Sequence, residues 1–73
     1  MIEVTKINDV RIIVNAEFIE IIEETPDTVI TLTNGKKIIV KETKKQVKEL
    51  VIAYKKEIFS NLIHWFYIKN ITN

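Results

Sequence analysis

The chain has 73 residues, 47% of them hydrophobic and 29% charged, with a formal net charge of +1, no cysteine and a single histidine. This length predicts one domain over residues 1–73, and the lack of cysteine excludes a disulfide framework and thiolate chemistry. The balanced charge does not favour nucleic acid, and the lone His64 cannot build a multi-histidine metal site, so we expect neither a metal nor a cofactor.

The N-terminal residues do not have the features of a signal peptide, which are a basic stretch followed by an apolar one. No apolar run reaches the roughly 18 residues of a membrane-spanning helix. We therefore expect no transmembrane segment and a cytoplasmic location.

Two short strands joined by a tight turn are predicted at the N-terminus. Residues 2–7 alternate in polarity, with Ile2 and Val4 on one face. The pair Asn8–Asp9 tolerates a left-handed φ and predicts the turn. The second strand, residues 10–14, contains a run that is apolar on both faces, which predicts burial on two sides.

A single helical turn and a third strand follow. Asn15 is a residue type that can cap a turn over residues 16–18. Residues 19–24 then form the third strand, with Ile19 and Ile21 facing the same way.

Residues 25–42 predict one more pair of strands. Pro26 can preset φ for the first turn. Residues 29–33 alternate threonine with large apolar residues, which suits a half-buried strand. Asn34–Gly35 fits a two-residue type I′ turn, in which both central residues need a positive φ. Residues 37–41 return as the paired strand, and the short connections predict a mainly antiparallel sheet.

The period changes to that of a helix after Glu42. Thr43 and Gln46 have the spacing of a capping box. An apolar stripe follows at helical spacing: Val47, Leu50, Val51, Tyr54 and Ile58. The predicted fold is α+β, a small, mainly antiparallel sheet of about five strands in residues 1–42, followed by one long C-terminal amphipathic helix with an aromatic tail in residues 43–68.

The tail of this helix carries more apolar side chains than a small core can cover. Leu62, Trp65 and Phe66 continue the stripe, whereas other faces carry Phe59, Ile63, Tyr67 and Ile68. We expect these side chains to lie in an oligomer or partner contact. The alternative is a membrane interface, where Trp and Tyr beside a lysine such as Lys69 suit the headgroup level.

The charged residues are better explained by solvation than by catalysis. One candidate site is an acidic run, which consists of Glu17, Glu20, Glu23, Glu24 and Asp27. It could supply paired carboxylates, but acid–base catalysis also needs a pocket. A solvated strand face is therefore the better interpretation. The helix lysines suit an ordinary outer face, and Arg11 is the only arginine available for base edges. His64 has no evident nucleophile beside it.

Several pieces of the sequence resemble one protein family. They are Met1-Ile2, Thr5-Lys6, Asn15-Ala16-Glu17, Ile19-Glu20, Ile22-Glu23 and the whole run from Thr25 to Glu42. In these pieces the chain resembles the small flagellar FlbD proteins, also called swarming motility protein SwrD. Relatives usually show Asn-Gly at the position of Asn8–Asp9, and this departure predicts a longer or different turn.

The resemblance implies a small cytoplasmic protein of flagellated bacteria that is not an enzyme. It implies an accessory protein that supports swarming and motor torque through protein contacts, with flagellar stator or motor components as partners. We also expect a homo-oligomer, because a core this small supplies little stability. As contact residues we predict Lys36 and Lys37, which offer charge, and Trp65 and Phe66, which offer an aromatic anchor.

An alternative of another class is an RNA-binding regulator. The succession of short strands and one helix, opening on residues 1–6, also resembles the small carbon-storage regulators, which bind RNA as intertwined dimers. The run of residues 25–42 does not support this alternative. Tight, sequence-selective and salt-dependent RNA binding would favour it.

Overall fold

The computed structural model describes residues 1–71 and has the predicted α+β arrangement. Five strands and a 3₁₀ turn precede one long helix. The elements are β1 (Ile2–Thr5), β2 (Arg11–Val14), the 3₁₀ turn (Ala16–Phe18), β3 (Ile19–Glu24), β4 (Thr28–Leu32), β5 (Lys37–Val40) and α1 (Lys44–Ile71).

The strands form two antiparallel sheets, β1–β2 and β3–β4–β5. The two sheets meet at one corner, where Lys6 forms an isolated bridge with Val40. Beside this bridge the N–H of Lys41 donates to the carbonyl of Thr5 over 2.8 Å, and the N–H of Ile7 donates to the carbonyl of Ile39 over 3.1 Å. The expected small antiparallel arrangement is confirmed, as two joined sheets.

The turn between β4 and β5 differs from the predicted two-residue turn. The N–H of Leu32 donates to Lys36 and the N–H of Gly35 donates to Leu32, each over 2.8 Å, so the loop has three residues. Gly35 has a φ of +86°, whereas Asn34 does not have a positive φ. The Asn34 side chain instead accepts the N–H of Lys36 over 2.9 Å. The type I′ prediction was wrong, because a three-residue loop needs only one left-handed residue.

The turn between β1 and β2 has the same hydrogen-bonding pattern. The N–H of Lys6 donates to Val10 over 2.8 Å, and the N–H of Asp9 donates to Lys6 over 2.9 Å. Asp9 takes the left-handed position with a φ of 70°. The Asn8 side chain accepts the N–H of Val10 over 3.2 Å. The expectation of a turn longer than two residues is confirmed.

The core lies between the two sheets and the first half of α1, which packs on β1 and β3. Its buried apolar members are Ile2, Val4, Val14, Ala16, Ile30, Val40 and Val47. The predicted inward face of β1 is therefore confirmed, and so is the first half of the helix stripe, since Leu50, Val51 and Tyr54 pack against this core.

Two burial predictions for the strands were wrong. Ile13 is 69% exposed, because β2 is an edge strand with only one face on the core. In β3 a register shift lies between Ile19 and Ile21, which indicates a β-bulge. The extra residue changes the phase of the strand, so Ile19 and Ile22 pack on the core and Ile21 is exposed.

The start of α1 is capped as the sequence predicts. The Thr43 hydroxyl accepts the N–H of Gln46 over 3.1 Å, and the Gln46 side chain accepts the N–H of Thr43 over 2.8 Å. Glu24, at the end of β3, adds a carboxylate that accepts the N–H of Lys44 over 3.2 Å. A negative charge at this end is favourable for the helix dipole. Asn15 likewise caps the 3₁₀ turn, as expected.

Candidate protein-interaction surfaces

The second half of α1 extends beyond the packed core. The molecule measures 53 × 22 × 19 Å with a radius of gyration of 15.5 Å. A compact domain of this length has a radius of gyration of about 11 Å. Because Tyr54 is the last helix residue that packs on the core, most of the excess length comes from the helix beyond it.

This outer part of the helix, residues 59–68, is here called the distal segment. Seven of its side chains are large, apolar and between 42% and 64% exposed: Phe59, Leu62, Ile63, Trp65, Phe66, Tyr67 and Ile68. Its polar members are Ser60, Asn61 and His64. At 100° per residue the apolar side chains span roughly 260° of the helix circumference. The distal segment therefore lacks the broad polar face of an ordinary surface helix.

Trp65 stands on the line of the core-facing stripe, about five turns after Val47. Trp65 lies beyond Tyr54, the last residue of the helix that packs on the core, and it is 60% exposed. The ammonium group of Lys69 lies 4.9 Å from the centroid of the Trp65 ring, within the range of a cation–π contact.

The accessible surface of the molecule is large for its mass. It measures 5662 Å² for 8.6 kDa. Folded monomers of this mass expose about 4,700 Å². The excess of about 1,000 Å² is comparable to the area that one partner contributes to a standard protein interface, about 800 Å².

A second surface is a groove between the β1–β2 hairpin and β5. Its volume is about 530 Å³, and it is lined by Lys6, Ile7, Ile12, Ile13, Lys36, Lys37, Ile38 and Ile39. Ile12 and Ile38 also pack on the core and form the floor. Ile7, Ile13 and Ile39 are exposed and form the walls. All three charged side chains in the lining are lysines.

The four contact residues predicted from the sequence fall on these two surfaces. Lys36 and Lys37 line the groove, and Trp65 and Phe66 lie on the distal segment. The structure does not bring the two pairs together, because α1 packs on β1 and β3 whereas both lysines are at the start of β5. Whether these residues bind a partner stays a prediction.

The apolar part of the groove is not among the contact residues predicted from the sequence. The apolar run of β2, which contains Ile13, predicts burial on two sides instead, and Ile7 and Ile39 carry no prediction of their own. In edge strands of a small domain the outward member of each run remains exposed.

The carboxylates of the acidic run lie on exposed strand and turn positions. Among residues 1–71, no three His, Cys, Asp or Glu side chains are placed to hold one metal ion. The Glu42 carboxylate binds the backbone, and its two oxygens accept the N–H of Thr5 over 2.8 and 3.0 Å. Burial raises the pKa of Glu42, but these hydrogen bonds and the Arg11 charge outweigh it and hold the pKa below its ordinary value.

Within the described residues 1–71, α1 is not apolar enough over a sufficient length to cross a membrane.

Comparison with models of protein families gives a match. The family model FlbD, described as flagellar and swarming motility proteins, matches residues 1–59. The match covers the strands and the core-packed half of α1 and stops at the first residue of the distal segment. No curated protein and no solved structure matches the chain.

Proposed function

The chain belongs to the FlbD family of flagellar and swarming motility proteins, and we propose that it is a non-enzymatic accessory protein of the bacterial flagellar motor. In this role it supports motor torque and swarming through protein–protein contacts, at the cytoplasmic face of the motor. Its partners are stator or motor components.

The observation that carries the proposal is the exposed apolar surface of the distal segment in a member of a motility family. Isolated apolar side chains on a surface need no explanation, but a contiguous apolar patch of several hundred Å² indicates an interaction site. Trp and other aromatic residues are also enriched among the residues that dominate binding energy. A contact role explains this surface directly.

The proposal includes self-association through the distal segment. Seven exposed apolar side chains on about three turns of helix are costly in water, at about 25 cal/mol per Å² of apolar surface. Pairing with the same segment of a second copy would bury them without bringing like charges together, because residues 58–68 carry no Lys, Arg, Asp or Glu. The surplus area of the monomer matches what such an interface requires.

A membrane interface is the competing explanation for the same segment. A helix that lies on a membrane needs a strongly polar face, usually rich in lysine or arginine. The polar residues of the distal segment are Ser60, Asn61 and His64 instead, and Asn61 lies within the apolar arc. In a bundle, neighbouring helices cover more than half of the circumference of each helix, whereas the surface of a bilayer covers one side only. A bundle therefore suits the wide apolar arc of the distal segment better than a membrane surface does.

Deletion of the gene, followed by its restoration, tests the motor role. The rotation rate of cells tethered by one flagellum reports torque, and the number of flagella per cell is the control. We expect torque to fall while the number of flagella stays normal. Unchanged torque with altered flagellin transcript levels would contradict the proposal and support the RNA-regulator alternative.

A further inference from the structure

The groove between the β1–β2 hairpin and β5 has an unfilled strand position along β5. The carbonyl of Ile39 accepts the N–H of Ile7, which follows β1, and the N–H of Lys41 donates to the carbonyl of Thr5 in β1. Backbone groups of alternate residues in an antiparallel strand point to the same side. The N–H and C=O of Lys37 therefore point to this side as well.

β1 does not continue far enough to pair with Lys37. The chain leaves β5 after Ile7 and enters the turn to β2. Within residues 1–71, no backbone partner is present for Lys37 on this side. An extended segment could add there as a short strand, which is a common mode of peptide recognition.

The side chains around this open edge define what would bind. Ile7, Ile13 and Ile39 present exposed apolar walls over the apolar floor. Lys36 and Lys37 stand at one end of the groove, and Lys6 stands at the other, beside the bridge to Val40.

Within the part of the chain that the structure describes, these lysines have no carboxylate partner. Among the described residues the salt bridges join Arg11 to Glu3 and Lys41 to Asp9. The charged groups in the groove are all cationic, so an acidic ligand would be complementary to them.

We propose that this groove binds an extended segment of a partner protein in which acidic residues flank a short apolar stretch. The segment pairs with the edge of β5 at Lys37 and places its apolar side chains against Ile7, Ile13 and Ile39. Its carboxylates reach Lys6 at one end and Lys36 and Lys37 at the other. The inference rests on the proposed function, because it names the chemistry of the motor partner.

A second copy of the chain fits this groove less well. Its β3 has the required chemistry, since Ile21 and Ile22 are flanked by Glu20 and Glu23. Ile22, however, already packs on the core of its own molecule. The β3 strand is therefore not free to place both apolar side chains in the groove.

A synthetic peptide tests the groove directly. The probe is a fluorescent nonapeptide, Ser-Glu-Glu-Val-Ile-Val-Glu-Glu-Ser, and its control carries Gln in place of every Glu. Binding to the full chain is measured by fluorescence polarisation at low salt. The variant Lys36→Gln/Lys37→Gln should bind the acidic peptide about ten-fold more weakly, because it removes two exposed ion pairs with the carboxylates of the peptide.

The matched control is Lys44→Gln/Lys45→Gln. It removes the same charge from two consecutive exposed lysines that do not line the groove. It should bind like the unaltered chain, and the peptide should shift the NMR signals of the Lys37 and Ile39 amides. Equal loss in both variants, equal binding of the two peptides, or shifts confined to another surface would overturn the proposal. Groove amides that shift on raising the protein concentration alone would assign the groove to a second copy, which also overturns it.

Cells carrying Lys36→Gln/Lys37→Gln separate this inference from the proposed function. We expect reduced torque in these cells with a normal level of the protein. If deletion lowers torque but this variant restores it fully, the groove proposal fails and the motor role stands. If deletion leaves torque unchanged, the motor role fails whatever the peptide does.

Discussion

Glu42 joins the end of β5 to β1, because both of its carboxylate oxygens accept the N–H of Thr5. The lowered pKa means that folding favours the charged form of this side chain. Its stabilisation is therefore present above the ordinary value of 4.5 and is lost as the pH falls through the lower pKa of the folded state. Glu42→Gln should lower the free energy of unfolding at pH 7 by about 1 kcal/mol.

Urea denaturation followed by circular dichroism, at pH values between about 7 and 3, measures this difference. The gap between Glu42→Gln and the unaltered chain should narrow as the pH falls. Glu57→Gln changes an exposed helix carboxylate that accepts no such backbone hydrogen bond, and is the control. A gap that stays constant across this range would contradict the role given to the Glu42 charge.

At the scale of the element, α1 depends on its first turn. The reciprocal hydrogen bonds of Thr43 and Gln46 satisfy backbone donors that the helix itself cannot satisfy. Thr43→Ala removes the hydroxyl acceptor and should lower the free energy of unfolding by about 1 kcal/mol. Ser60→Ala removes a hydroxyl from an exposed position within the helix and should have little effect. Equal midpoints of denaturation for the two variants would show that the cap contributes nothing.

At the scale of the whole molecule, the distal segment makes this a protein with more exposed apolar surface than a small monomer needs. We expect the purified chain to be an oligomer in solution, with a mass of at least twice the 8.6 kDa of one chain. Trp65→Ala/Phe66→Ala should reduce that mass to the monomer value, because it removes two of the largest apolar side chains of the segment.

Light scattering coupled to gel filtration measures both masses. Ser60→Ala/His64→Ala, in the gap that the apolar side chains of the same segment leave, should leave the oligomer intact. A monomeric unaltered chain would refute self-association. An oligomer that survives Trp65→Ala/Phe66→Ala would place the interface elsewhere.

Local sequence signals predicted the elements of this fold well. Three of these signals depend on neighbouring residues alone. They are the capping box at Thr43, the cap at Asn15, and the alternation of polar and apolar residues that puts Ile2 and Val4 on one face. The sequence could not predict the bulge in β3 or the three-residue loop at Gly35, because both depend on how the strands pair. The two burial errors, at Ile13 and Ile21, follow from that pairing.

The candidate surfaces were predicted only in part. Trp65 and Phe66 stand out because their helix continues beyond any strand that could cover it. Lys36 and Lys37 stand out in the sequence by their charge. The isoleucines that line the groove beside them come from three separate segments of the chain. That convergence is a product of the tertiary fold and has no local signal.

The rotation rate of tethered cells reports whether this chain supports the motor through its exposed surfaces. The deletion strain is restored with either the full chain or Trp65→Ala/Phe66→Ala, at matched protein levels and with flagella counted. We predict that the full chain restores the rotation rate and that the variant leaves it near that of the deletion strain. Equal restoration by both chains would show that Trp65 and Phe66 are not needed for torque, and a deletion that leaves the rotation rate unchanged would refute the motor role.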